Sequence, residues 1–273
     1  MKIAKIIDKN TIEVYDLSQF DLSAIMHSGQ VFRYFEVGED EYELVVGSHY
    51  AHMYRCDNKV VIKCSDADYF YQYFDFGTDY DVIKKEIACS ESFASILKLS
   101  GGIRILKSDF FEMTISFIIS ANNNIKRFTK TLNLLAEKFG VKLENGRYSF
   151  PVLMQLEIAT DNDFKEIGCG YRSVYLVKAI QQLKNLDYYM LQKLPNDELL
   201  KSLLRIQGVG PKVAACIMLF AFHRLDVAPI DTWITKALDS LGDDKKILLS
   251  HKFSGVYQQY IFHYLQHLKQ IIW

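Results

Sequence analysis

The stretch LLRIQGVGPKVAACI, Leu203 to Ile217, decides the fold of this chain. Leu199, Leu200, Leu203 and Leu204 recur at helical spacing, which predicts a helix over Asn196–Gln207. Gly208 and Gly210 admit the positive φ angles and close backbone approach of a tight turn. Pro211 suits the first position of a second helix, where its missing N–H costs nothing. Val213, Ala214, Cys216, Ile217, Phe220 and Ala221 make that second helix apolar and mostly buried. The reading is helix, hairpin, helix. The hairpin's backbone N–H groups, from Gly208 through Val209 to Gly210, can hold a phosphate. Lys212 stands in the first turn of the second helix. There the positive end of the helix dipole disfavours a charged amine and favours the nucleophilic neutral form. Cys216 shares its face one turn on. Taken alone, the lysine also fits an ordinary surface position and the glycines ordinary caps.

Downstream, VAPIDTWITKAL (Val227–Leu238) sets Asp231 ahead of a periodic stretch as an N-cap, where backbone donors favour the ionised carboxylate. With an amine nucleophile, a fixed negative charge stabilises the oxocarbenium-like transition state at a sugar's anomeric carbon. Upstream, SFIISANNNIKRF (Ser116–Phe128) carries Asn122, Asn123 and Asn124 between two helical patterns, then Lys126 and Arg127. That is a capping signal, but asparagine amides and arginine forks also read base edges. IGCGYRSVYL (Ile167–Leu176) is a glycine-flanked loop expected to expose Tyr171 and Arg172 before a helix. An exposed aromatic beside an arginine can wedge into a base stack. HSGQVFRY (His27–Tyr34) has Gly29 just before a strand.

The first eighty residues are strand-rich: QVFRYFEV, YELVVGSH, YAHMYRC and KVVIKCS, separated by GEDE, the Gly-Ser near 47 and Asp-Asn at 57–58. The aromatics of DADYFYQYFDF are expected to cover the sheet as core. From Asp81 the period turns helical. Helices are expected over Asp81–Cys89, Ser92–Leu99, Asp109–Ser120, Ile125–Phe139, Met154–Ile158, Asp161–Ile167, Ser173–Leu186, Tyr188–Leu194 and Asn196–Gln207. After Lys212 come a helix to Phe222, one from Thr232, one near Lys245–His251 and a closing one near Gly255–Ile271. The expected class is therefore α+β. A small N-terminal antiparallel β-sheet domain, residues 1–80, precedes a helical body, residues 81–273, with the helix-hairpin-helix at about 196–222.

The composition, 49% apolar and 24% charged, is that of a soluble globular protein, and no run approaches the ~18 apolar residues of a membrane span. The N-terminus, MKIAKIIDKNTIEVYDL, reads as a strand without a signal peptide's apolar core. Five scattered cysteines, none in CxxC, point to a reducing compartment and away from a disulfide framework or a cysteine-held metal. A cytoplasmic protein is expected, nuclear if the source is eukaryotic, with no membrane partner. The net charge of −1 gives no overall steering, so a nucleic-acid partner needs a local basic surface.

Six stretches stand in one order: SGQxFR (Ser28–Arg33), GGIRILKSD (Gly101–Asp109), SFIISANNNIxR (Ser116–Arg127), GCGYRSxY (Gly168–Tyr175), GVGPKVAxCI (Gly208–Ile217) and PIDTW (Pro229–Trp233). In that order, over nearly the whole chain, the sequence resembles the helix-hairpin-helix DNA glycosylases, and more closely the 8-oxoguanine DNA glycosylase/AP lyases. The resemblance implies a bifunctional enzyme of base excision repair. It flips an oxidised guanine out of double-stranded DNA, preferably opposite cytosine, into a pocket between sheet domain and helical body. The base leaves through a lysine Schiff base, and β-elimination cuts the strand. A monomer needing no cofactor is implied, with a structural cation admitted at the hairpin carbonyls.

Residue by residue, Lys212 matches the Schiff-base lysine and Asp231 the essential aspartate. Cys216 matches the cysteine against the extruded base, and Gly29 the glycine whose carbonyl accepts the N7 hydrogen of 8-oxoguanine. Asn122, Arg127 and Arg172 match the residues that hold the orphaned cytosine, and Tyr171 the wedge. Gly208, Val209 and Gly210 match the phosphate hairpin. The closing helix departs from animal members. Gln266 falls where they stack an aromatic and Phe262 lies one turn earlier, so both are candidates to line the pocket. Trp233 replaces a histidine that contacts phosphate in animal members. The rivals are a glycosylase for another damaged or mispaired base and a non-catalytic DNA-binding hairpin. The first is disfavoured by SGQxFR and by the missing cluster cysteines, the second by the pairing of Lys212 with Asp231.

Overall fold

The computed structural model describes residues 3–88, 91–231, 234–235 and 248–272. Six strands, β1 Ala4–Asp8, β2 Thr11–Val14, β3 Tyr34–Gly38, β4 Glu41–Val46, β5 His49–Cys56 and β6 Lys59–Cys64, form one sheet in the order β1-β2-β6-β5-β4-β3. The pairs β1–β2, β2–β6 and β5–β6 are antiparallel, with Ile12 opposite Ile62 and Met53 opposite Ile62 on the other side. Ile12, Met53 and Ile62 are fully buried, so this register puts one apolar face inward. The single strand expected at the N-terminus is a hairpin, because Lys9-Asn10 turns the chain. The Asn10 amide fixes the turn by donating to the Cys64 carbonyl at 2.8 Å.

Two helices interrupt the strand-rich region, α1 Leu22–Met26 and α2 Ala67–Tyr73. Asp21 and Asp66 cap them, accepting from Ala24 N and Tyr69 N. The DADYFYQYFDF aromatics are core as expected, but on α2: Phe70 and Phe74 are fully buried and Phe74 meets Phe20 edge-on. α3 Tyr80–Ile87 and α4 Glu91–Ser100 follow. Then come α5 Phe110–Ser120, α6 Ile125–Phe139, α7 Leu153–Leu156, α8 Asp161–Glu166, α9 Arg172–Leu183, α10 Tyr188–Lys193, α11 Asn196–Leu203 and α12 Pro211–Phe220. The closing helix, α13 here, is Ser254–Ile272. α11 ends four residues short of the expected Gln207, because the chain winds into turns ahead of the hairpin. The helix expected from Thr232, most of that near Lys245–His251, and Trp233 lie outside the described residues. No helix of the described residues is long and apolar enough to cross a membrane.

Packing divides the chain into two compact units. One holds Met1–Glu43, Ala51–Lys107 and His223–Trp273, the other Leu44–Tyr50 and Ser108–Phe222. The boundary expected at residue 80 falls at the start of α3, whereas these units are drawn by contact and interleave along the chain. In the second unit α5 is buried almost all round and packs against α6, α9 and α12, as its largely apolar sequence requires. In the first, α4 packs on α13, with Phe93 stacked on Tyr257 at 4.5 Å.

A buried polar centre organises the first unit. Arg104 is fully buried; it donates to the carbonyls of Phe74, Gln19, Asp75 and Thr78 and lies 4.2 Å over the Tyr80 ring. The fully buried Asp75 carboxylate accepts from Lys107 at 2.7 Å and His223 at 3.2 Å. Burial alone would raise its pKa, but the His223 and Lys107 partners prevail and hold it at about 2, below the ordinary 3.8. Its folded value being the lower, its contribution of roughly 2 kcal/mol is complete above about pH 4 and is lost as pH falls through about 2. Asp75→Asn is expected to lose about that much in urea unfolding at pH 7. The gap from wild type should close as the pH is lowered. A gap that does not change with pH would contradict this assignment.

Candidate active site

In the second unit, Gly208 has φ +84°, and a β-carbon there would lie 3.2 Å from both Ile118 Cγ2 and Tyr175 Cβ. Conformation and close approach thus both require glycine. Gly210 differs from expectation. Its φ of −93° and ψ of 177° are extended backbone, and a β-carbon would meet nothing within 4 Å. It is the bare N-cap of α12, leaving the helix start open. Val209 is buried between them, with its amide on the Ile206 carbonyl. Pro211 and Lys212 are exposed in the first turn. The Lys212 nitrogen lies 4.9 Å from the centroid of the Phe117 ring. Cys216 follows one turn on, 3% exposed. Cys169, in the GCGYR loop, is no rival nucleophile, since burial pushes its thiol up to about 12.

Two loops of this unit carry the other polar candidates, and two arginines tie them together. Arg172 is buried, contrary to its expected exposure. Its guanidinium donates to Ala121 O and, at 2.8 Å, to Asn122 O across the fold. The carbonyls of the loop after α5 supply the acceptors that let an arginine sit inside. Arg127 is exposed and reaches the Gly168 carbonyl at 3.3 Å. Tyr171 is 54% exposed, its ring 4.5 Å from the Arg172 guanidinium. Of the three asparagines, Asn124 caps α6 by accepting from Arg127 N, and Asn123 donates to Ile119 O. Asn122 is exposed at φ +50°, a left-handed conformation that asparagine tolerates better than most residues. Asn122 is thus exposed on a loop that Arg172 holds in shape.

In the first unit, Gln30 joins two of the motifs: its amide donates to Arg104 O and accepts from Leu106 N, both at 3.0 Å. This anchors Gly29, whose φ is +79°; a β-carbon there would lie 3.0 Å from Phe262 Cε1. Of the two closing-helix candidates, Phe262 is thus the ring that lies against Gly29, with Gln266 half-buried one turn beyond. Gln258, one turn before Phe262 and 2% exposed, was not singled out by sequence; four-residue spacing on a helix was the available signal. It accepts from Gln259 Nε2 at 2.8 Å, which orients its amide. Asp231 is the expected N-cap, accepting Ile234 N on Oδ1 at 2.9 Å, with Thr235 N on its carbonyl.

The second unit thus offers an exposed amine at a helix start and two arginine-tied loops; the first offers a capping carboxylate, a glycine against an aromatic ring and, one turn along the closing helix from that ring, a buried amide. Residues 14–114 match the family profile described as 8-oxoguanine DNA glycosylase, N-terminal domain. The chain is similar to an N-glycosylase/DNA lyase of Arabidopsis thaliana, 27% identical over 80% of this chain and 65% of that protein. It is also similar to a probable N-glycosylase/DNA lyase of Methanothermobacter thermautotrophicus, 31% identical over 53% of this chain and 54% of that protein. The matches thus span about half to two thirds of these curated relatives. Among solved structures, the 8-oxoguanine glycosylase/lyase of Clostridium acetobutylicum, in complex with double-stranded DNA containing cytosine opposite 8-oxoguanine, superimposes with a TM-score of 0.89. It is 32% identical, over 98% of this chain and all of that one.

Gly29→Ala carries two separable costs, about 1–2 kcal/mol for the left-handed backbone and a further part for displacing the Phe262 ring. In melting experiments the loss from Gly29→Ala should be smaller in a Phe262→Ala background. Equal losses in both backgrounds would mean that the ring does not press on this glycine.

Proposed function

This chain belongs to the 8-oxoguanine DNA glycosylase/AP lyases of the helix-hairpin-helix superfamily, and on that footing we propose that it excises 8-oxoguanine from duplex DNA with Lys212 as its nucleophile. The observation that carries this reading is the place of Lys212: exposed, in the first turn of α12, whose N-cap Gly210 leaves the helix start uncapped by any side chain, as suits a phosphate. The hairpin of Gly208, Val209 and Gly210 grips the backbone while the damaged base is extruded. The neutral amine's lone pair forms a bond to C1′, and the glycosidic bond breaks with its electron pair leaving on the base, which takes up a proton. The nitrogen then passes a proton to O4′ as the C1′–O4′ bond opens, leaving an iminium. Loss of a C2′ proton expels the 3′ phosphate, and water releases the enzyme. Asp231 supplies the fixed negative charge that favours the oxocarbenium-like transition state.

Gly29 and Phe262 hold the extruded base, Gln258 offers its amide to the pairing edge, and Cys216 lies beside the nucleophile. Gln266 has the outer position on the closing helix. Asn122 and Arg127, on loops braced by Arg172, face the cytosine left opposite, and Tyr171 fills the gap in the stack. No cofactor takes part in these steps. A structural cation, where present, rests on the carbonyls of the Gly208–Gly210 hairpin. The enzyme works as a monomer on the chromosome, in the nucleoid of a prokaryotic cytoplasm or in a eukaryotic nucleus.

Lys212→Gln should abolish the borohydride-trapped protein–DNA adduct on an 8-oxoguanine·cytosine duplex while leaving binding of that duplex nearly intact. Asp231→Asn should slow single-turnover excision far more than it weakens binding, besides costing roughly 1 kcal/mol of helix cap. An adduct that survives Lys212→Gln would place the nucleophile elsewhere.

A further inference from the structure

The Phe117 ring beneath Lys212 is fixed in place. Phe117 is 3% exposed and lies nearly parallel to Phe220, at 9° with centroids 6.0 Å apart. Phe117 belongs to α5 and Phe220 to α12, and these two helices pack directly on each other. The ring cannot turn away without opening that contact. The Lys212 nitrogen, at 4.9 Å from the ring centroid, is within reach of a cation–π interaction.

Resting on the reading of Lys212 as nucleophile, we propose that Phe117 is a positioning residue whose ring face steadies the Lys212 nitrogen as it becomes positively charged. During attack that nitrogen passes from neutral amine to substituted ammonium and then to iminium, so it gains a full charge. The start of α12 opposes positive charge there. The negative face of the ring offsets that opposition where the nitrogen must stand.

This has a signature that packing alone does not share. When the resting lysine is a neutral amine, the ring favours the transition state over the resting state. When it is already an ammonium, the ring favours both alike and its effect cancels. The titratable groups on the elements packed against α12 are Glu112 of α5, which accepts Gly47 N, and Asp197, Glu198 and Lys201 of α11; Cys216 lies on α12 itself. None of these changes when only the ring at 117 is altered.

The test is site-specific replacement of Phe117 in the full chain by mono-, di- and trifluorophenylalanine, which weaken the ring's negative face with little change of shape. Single-turnover excision of 8-oxoguanine opposite cytosine is followed across pH. The acid limbs should coincide and the alkaline plateau should fall with each fluorine, by about two- to thirty-fold over the series, the range of a cation on an aromatic face. A plateau unchanged by fluorine, or a fall of limb and plateau together in step with melting temperature, would overturn the proposal. Lys212→Gln run alongside separates the two readings. Survival of the trapped adduct defeats the nucleophile assignment itself, whereas its loss with a flat fluorine series defeats only the role of Phe117.

Discussion

The Asp75 carboxylate is the point on which the packing of the first unit depends. The long helical segment 108–222 leaves the first unit after Lys107 and returns to it at His223, and both of these residues bind this one buried acid. Its own peptide carbonyl accepts from Arg104, whose guanidinium also gathers the carbonyls of Gln19, Phe74 and Thr78. A buried charge of this kind is costly unless every partner is supplied, and here they are supplied from four separate segments. Lys107 and His223, far apart in sequence, are thereby held together. Immediately inside them, Ser108 N bonds to Phe220 O, which sets the start of α5 against the end of α12. The register of those two helices brings Phe117 beneath Lys212.

Much of this was legible in the sequence where a local rule governs. The α6 bounds, Ile125–Phe139, follow from periodicity, and the caps at Asn124 and Asp231 from residue type at a helix start. Gly208 announced its left-handed turn. The six ordered motifs carried the family because they fix chemistry at positions that the fold must bring into use.

What stayed hidden depends on partners distant in sequence. Arg172 looks the same in sequence whether exposed or buried, and the carbonyls of Ala121 and Asn122 make the difference. Gly210 pairs with Gly208 by eye, yet one supplies a positive φ and the other only empty space. Asp66 and Asp21 start helices inside a strand-rich region, where short helices leave little periodicity to read. The choice between Phe262 and Gln266 needed the actual rotation of the closing helix against Gly29. Gln258 and Phe117 are not singled out by sequence, since a buried amide or ring declares a function only through its neighbours.

The central claim is that one amine, at the start of α12, makes the covalent bond to DNA. Reducing the wild-type adduct with borohydride, digesting it with protease and nuclease, and sequencing the sugar-bearing peptide by mass spectrometry tests this directly. The account requires the modification on Lys212, in the peptide that follows the Gly208–Gly210 hairpin. Modification of another lysine or of the N-terminal amine would contradict it.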